Sequence, residues 1–162
     1  MELHDGNLFF KHKYPSVSIE HAINHFRTFE EFEKFYTDDL MDENLLLGDY
    51  LYRLLDRYGT NANEVALQIG KSHSYVRKIV NGKELNPSRD VLLAVCVKIG
   101  ATVEETQILL RYGGKSPLYA RRKRDAIIWF ALKKHQSLTG LNNYLENNGY
   151  APLSKVILRK EK

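Results

Sequence analysis

The sequence has 162 residues and a formal net charge of +4, is 43% hydrophobic and 27% charged, and contains a single cysteine, Cys96. That apolar content can build a core and argues against a chain disordered throughout. No stretch of 18 apolar residues could span a membrane, the charged N-terminus lacks a signal-peptide pattern, and one cysteine permits neither an internal disulfide nor a Cys-pair zinc site, so a cytoplasmic protein is expected.

The N-terminal segment is acidic: residues 1–47 carry 4 Lys/Arg against 10 Asp/Glu. A short apolar patch, Leu8-Phe9-Phe10, has no clear period. From Ser18 to Tyr36 the spacing of Phe26, Phe29, Phe32, Phe35 and Tyr36 has helical periodicity, and Thr28 followed by Glu31 marks a capping box where a helix can restart. Asp38-Asp39 and Asp42-Glu43-Asn44 then make an acidic break. Residues 1–46 are therefore expected to form a partly helical arm.

The centre is clearer. Leu47, Tyr50, Leu51, Leu54 and Leu55 form an i, i+3, i+4, i+7, i+8 stripe that ends at Gly59, a helix with its C-terminal glycine. Asn61 with Glu64 predicts a capping box for a short second helix carrying Val65, Ala66 and Ile69 and ending at Gly70. Ser72 or Ser74 opens a third, with Val76, Ile79 and Val80, up to Asn81-Gly82. Ser88 after Pro87 opens a fourth, with Val91, Leu92, Val95 and Ile99 inward, closed by Gly100. Thr102 with Glu105 opens a fifth that runs to Gly113-Gly114. Five helices with tight joints thus fill residues 47–112. Ser116-Pro117 predicts an N-cap and first helical residue for a helix from about Leu118 to Lys134, burying some combination of Ile127 to Leu132. Ser137 predicts a last helix with Leu138, Leu141 and Leu145 on one face, ending at Gly149. No segment reads as a strand, and the fold class is all-α.

Function concentrates in the second and third helices. Two short helices held at a steep angle across a tight turn need a small residue at the close approach, supplied by Ala66. They need a glycine for the turn, Gly70, and a shared apolar wedge, Val65, Ile69, Val76 and Ile79. What remains on the outer side or leading end of the third helix is Ser72, His73, Ser74, Tyr75, Arg77, Lys78 and Asn81. These hydrogen-bonding and cationic types suit phosphate oxygens and base edges in a major groove.

Residues 62–81, ANEVALQIGKSHSYVRKIVN, resemble the helix-turn-helix of the Cro/CI-type repressors (the XRE family). Ala66, Gly70, Val76 and Ile79 fall at the alanine, glycine and two aliphatic positions of that pattern. The likeness continues through Asn81-Gly82-Lys83, Pro87-Ser88 and on to Leu110. Residues 47–153 also resemble bacterial proteins of this kind that continue with an arginine-rich helix. The resemblance implies base contacts at His73, Ser74, Arg77 and Lys78, and phosphate contacts near Asn61, Asn81 and Lys83. It departs from the pattern at Ala62, where Gln often helps hold a phosphate, and at Val80, where an acidic residue is frequent. Ser72 fits a cap as well as a base contact, and Tyr75 fits a core ring as well as a phosphate contact.

Other features carry less. The run Arg121-Arg122-Lys123-Arg124 would sit in the first turns of its helix, where the helix dipole disfavours cations. Its counter-ions would be DNA phosphates, which makes Arg121 and Arg122 auxiliary phosphate contacts, or the acidic patch Asp38, Asp39, Asp42 and Glu43 folding back. Gly114-Lys115-Ser116 imitates the end of a phosphate-binding P-loop, but Leu109 stands where that loop needs glycine. His21 and His25 share a helix face, with His4 and His12 nearby, yet lack a third zinc ligand. No catalytic set has a telling spacing, so neither an enzyme nor a cofactor or metal is expected. Cys96 reads as a buried small hydrophobe.

The expected organisation is an acidic arm (1–46), a five-helix Cro/CI repressor-like helix-turn-helix domain (47–114) and a basic C-terminal helical pair (115–162). The expected function is sequence-specific binding of double-stranded DNA as a transcriptional regulator, usually a two-fold dimer, with Ile127 to Leu145 as the dimer surface or its packing support. The alternative is a protein-interaction module, antitoxin-like or an inhibitor, that docks a protein through the acidic arm or the basic helix. The motif-bearing core, with 9 Lys/Arg against 7 Asp/Glu over residues 48–114, is only mildly basic, whereas residues 115–162 carry 11 against 3.

Overall fold

The computed structural model describes residues 23–36, 40 and 45–155, and every regular element among them is helical. Leu8-Phe9-Phe10, three of the histidines discussed above (His4, His12 and His21) and the acidic residues Asp38, Asp39, Asp42 and Glu43 lie outside the described residues. The chain divides into two compact units, residues 1–45 and 46–162.

In the first unit, a 3-10 turn, Ile23–His25, precedes helix α1, Phe29–Tyr36. The α-helix therefore begins at the restart signal. The Thr28 hydroxyl accepts the Glu31 N–H at 3.2 Å, and the Glu31 carboxylate accepts the Arg27 N–H at 3.2 Å, one residue further back than an ordinary capping box. The aromatic spacing becomes a cluster: Phe32 is buried, Tyr36 stacks on it at 4.9 Å between centroids, and Phe26 meets it edge-on at 5.6 Å.

The second unit holds α2 (Leu47–Arg57), α3 (Ala62–Gln68), α4 (Tyr75–Val80), α5 (Arg89–Ile99), α6 (Val103–Tyr112), α7 (Lys123–Lys133) and α8 (Leu138–Asn147). Helix α5 is the hub, with α3, α6, α7 and α8 packed around it. The sequence pattern gave it one inward face. In the structure Val91 through Val97 are all buried and Ile99 is only half-buried, because α7 and α8 cover the side that an isolated five-helix domain would leave to water. A helix apolar on every side has to be enclosed. Cys96 lies in this run, fully buried, and burial pushes its thiol pKa up to about 12.

Helix caps do the local work. Ser88 accepts the Val91 N–H at 3.2 Å, Ser137 accepts the Gly140 N–H at 3.0 Å, and Gly100 closes α5 in the left-handed region at φ 77°. At α6 the capping box is complete. Thr102 Oγ1 accepts the Glu105 N–H at 3.1 Å, and Glu105 Oε1 accepts the Thr102 N–H at 2.9 Å. The same carboxylate takes the Tyr58 hydroxyl and the Arg57 guanidinium, so one buried glutamate ties the end of α2 to the start of α6. Burial alone would raise the Glu105 pKa. The Thr102 N–H, the Tyr58 hydroxyl and Arg57 together outweigh it and hold the carboxyl below the usual glutamate range.

One expectation fails. Ser116-Pro117 does not start a helix; α7 begins six residues later, after Arg122, which makes no side-chain cap. The intervening backbone is bonded elsewhere. Arg89 Nε donates to the Ser116 carbonyl at 2.9 Å and Nη2 to the Pro117 carbonyl at 3.1 Å. The Gln107 amide holds both the N–H and the carbonyl of Leu118, at 2.7 and 2.9 Å, and the Tyr119 N–H donates to Asp125 at 2.9 Å. Below this loop the two first turns lock. Arg89 forms a two-pronged pair with Asp125, both bonds 3.0 Å, and Arg124 forms one with Asp90 at 2.9 and 3.0 Å. Arg124 also donates to the Ala151 carbonyl at 2.9 Å. Asn142 holds Leu153 and Ser154 against α8.

Two outcomes are expected. Arg89→Met strands the buried Asp125 carboxylate and lowers stability by about 3 kcal/mol, measured by denaturant unfolding at neutral pH. Glu105 ionises below its unfolded value, so its stabilisation is fully present above that value, near pH 4.3, and is lost as pH falls through the folded pKa. The melting temperature should therefore drop on acidification below about pH 4.5, and less steeply in Glu105→Gln, which starts from a lower value at pH 7.

Candidate nucleic-acid interface

Helices α3 and α4 pack directly on each other, and the apolar wedge predicted between them forms: Val65, Ala66, Ile69, Val76 and Ile79 are each 1% exposed or less. The turn closes as the glycine requires. Gly70 has φ 74°, its N–H donates to the Leu67 carbonyl at 3.1 Å, and the Lys71 N–H reaches back to the Ala66 carbonyl at 2.9 Å. Gly82, at φ 73°, ends α4, with the Lys83 N–H on the Lys78 carbonyl at 2.8 Å.

The caps differ in detail from the sequence expectation. Asn61 caps α3 by accepting the Glu64 N–H at 3.0 Å, but the Glu64 carboxylate takes the Thr60 hydroxyl at 3.1 Å and does not return to Asn61. Ser74 stands at the N-cap position of α4 with helical dihedrals and no side-chain cap bond, and the Ser72 carbonyl accepts the Tyr75 N–H at 3.0 Å. The Ser74 hydroxyl thus does no capping at α4.

With the wedge buried, the remaining side chains fall outward. Ser72, His73, Arg77, Lys78, Asn81 and Lys83 are exposed, as is Asn61, and Ser74 and Tyr75 are half-buried. Arg77 Nη2 donates to Asn63 Oδ1 at 2.8 Å across the two helices, which uses one of its five N–H groups and holds the guanidinium beside the leading turn of α3. Lys71 places its ammonium 5.2 Å from the centroid of the Tyr75 ring, and burial together with Glu84 raises the Tyr75 pKa. Tyr75 is thus part of the packing between turn and helix.

Two residues that matter here escaped the sequence reading. Asn63 carried no role there, and only its place across from Arg77 supplies one. Gly48 is a glycine early in α2, where a Cβ would stand 2.4 Å from the Val80 carbonyl oxygen and 2.7 Å from that of Ile79. The start of α2 therefore lies against the backbone at the end of α4, and only a missing side chain permits it. The isolated glycine in a helical stripe was the available signal.

Two short helices on a glycine turn, with a dry wedge behind and a polar, cationic front, define a DNA-binding helix-turn-helix. A helix-turn-helix family model matches residues 51–105, from the fifth residue of α2 to the third of α6. That segment is a helix-turn-helix domain of the Cro/CI type, the XRE family, and every regular element among the described residues is helical. No curated protein and no solved structure matches the chain. Among the described residues, no helix is long and apolar enough to cross a membrane.

Gly48→Ala is expected to lower stability by about 1–3 kcal/mol through overpacking against the end of α4, whereas Asn61→Ala costs about 1 kcal/mol by loss of the cap. Thermal or denaturant unfolding of the two variants measures both.

Proposed function

We propose that this protein reads double-stranded DNA sequence-specifically and acts as a transcriptional regulator. The observation that supports this best is the division of labour in α3 and α4. The wedge takes the apolar side chains Val65, Ala66, Ile69, Val76 and Ile79, and the outward face is left with hydrogen-bonding and cationic groups, one of them oriented by Asn63. In this reading α4 enters the major groove. His73, Ser74, Arg77 and Lys78 meet base edges, with Ser72 at the leading end, and Arg77 is the best suited to grip a guanine with two N–H groups. Asn81, Lys83 and the amide nitrogen of Asn61, whose oxygen is occupied by its cap, hold phosphates on either side. Tyr75 contributes from its packed position beside Lys71.

Such a reader works as a two-fold dimer on a near-palindromic site, in the cytoplasm with the DNA it controls. The apolar residues of the C-terminal pair are largely used within one chain: Ile128, Ala131, Leu132, Leu138, Leu141 and Leu145 are buried. Phe130 and Tyr144 remain exposed for a second copy.

A second reading, docking to a protein partner, draws on Leu67 and Leu85, which are 54% and 79% exposed beside the motif, and on the mildly basic core. Substitution of Arg77 and Lys78 by alanine separates the two, since a docking module would lose little.

Selection from a random duplex library by the purified protein should enrich a near-palindrome. Arg77→Ala should weaken binding to it by about 1–3 kcal/mol and relax the preference at one base pair per half-site. Lys83→Ala should weaken all sequences alike and make the dependence of log affinity on log salt shallower by about 0.9. Recovery without any motif, fading as salt rises, would refute sequence reading.

A further inference from the structure

The four basic residues before and within the first turn of α7 are not equivalent. Arg124 is consumed by Asp90 and the Ala151 carbonyl. Arg121, Arg122 and Lys123 are exposed, and among the described residues none of the three forms an ion pair. The nearest acid in sequence, Asp125, is buried and takes Arg89 and the Tyr119 N–H, and Arg122 adds only a weaker attraction without an ion pair. Three cations are thus held at the start of a helix, where the dipole opposes them.

Their place in the fold gives them a use. The loop that carries them, 115–122, is stitched to the loop that leaves α4. Arg89 binds the Ser116 and Pro117 carbonyls, and the Lys115 ammonium donates to the side chain of Asn86, three residues beyond Lys83. The Arg89–Asp125 and Arg124–Asp90 pairs then fix the first turn of α7 on the first turn of α5. The basic run is therefore carried in a fixed register with the helix-turn-helix domain, beside the first turn of α5 and on a loop that reaches back to Asn86.

We propose that Arg121 and Arg122, supported by Lys123, form a second contact with the phosphate backbone of duplex DNA, flanking the site read by α4. This rests on the DNA-reading function proposed above. The contact is one of charge and carries no base preference, so it adds affinity and salt dependence while α4 retains the choice of sequence.

The test uses the full chain and the duplex recovered by the selection, with affinity measured from 50 to 200 mM salt for the wild type, Arg121→Ala/Arg122→Ala and Arg121→Lys/Arg122→Lys. The alanine pair is expected to make the slope of log affinity against log salt shallower by about 1.8, which means the wild type loses about tenfold more affinity over that range. Base preference and melting temperature should stay unchanged, the lysine pair should keep the wild-type slope, and hydroxyl-radical footprinting should lose protection only at the flanks. A wild type that binds with a slope shared by the alanine pair overturns the second contact and leaves the reading by α4 intact. The same follows if the alanine pair melts lower while binding DNA normally, since the run would then be serving the fold or an acidic protein. A wild type that binds no duplex overturns both proposals.

Discussion

A helix that is apolar on every side cannot lie on a surface, and the rest of the second unit follows from where α5 puts its seven consecutive buried residues. Helix α3 covers one side and α6 another, and α7 with α8 covers what remains. The C-terminal pair is in this sense the outer wall of the helix-turn-helix core. Its buried residues, Ile128, Ala131, Leu132, Leu141 and Leu145, belong to the same core that holds α3 and, through it, α4.

Apolar burial does not by itself set register, and charged side chains at the start of α5 supply it. Consecutive residues Arg89 and Asp90 meet consecutive residues Asp125 and Arg124 with the signs exchanged. A slip of one position would bring like charges together, so the crossing point of α5 and α7 is fixed even if the pairs contribute little net stability. Helix α4 is fixed from behind in a comparable way, by the bare backbone of Gly48 under its last carbonyls and by Asn63 on its arginine. Precise placement of α4 thus comes from residues that do not belong to its outward face.

The sequence made legible whatever depends on local pattern. Helix periods, the glycines at 59, 70, 82, 100, 114 and 149 that take positive φ, and the caps at Asn61, Ser88, Thr102 and Ser137 all appear where spacing placed them. So does the wedge at Val65, Ala66, Ile69, Val76 and Ile79. What escaped depends on partners distant in sequence. Ser116-Pro117 looks like a helix start until Arg89, 27 residues earlier, takes the Ser116 carbonyl, and the segment stays out of a helix. Leu93, Ala94 and Val97 extend the buried set in a helix against which α7 and α8 also pack, although the unbroken run Val91 to Val97 hinted at full enclosure. Glu105 offered a cap, which formed, and concealed its second task of receiving Arg57 and Tyr58 from α2.

That second task has a dynamic consequence. The last turn of α2 and the first turn of α6 share a single buried carboxylate, so neither can fray alone without stranding hydrogen-bond donors or leaving Glu105 charged and unpaired. Helix ends ordinarily open most easily. Here two ends, 48 residues apart at Arg57 and Glu105, are tied through one side chain, so opening either one disturbs the other.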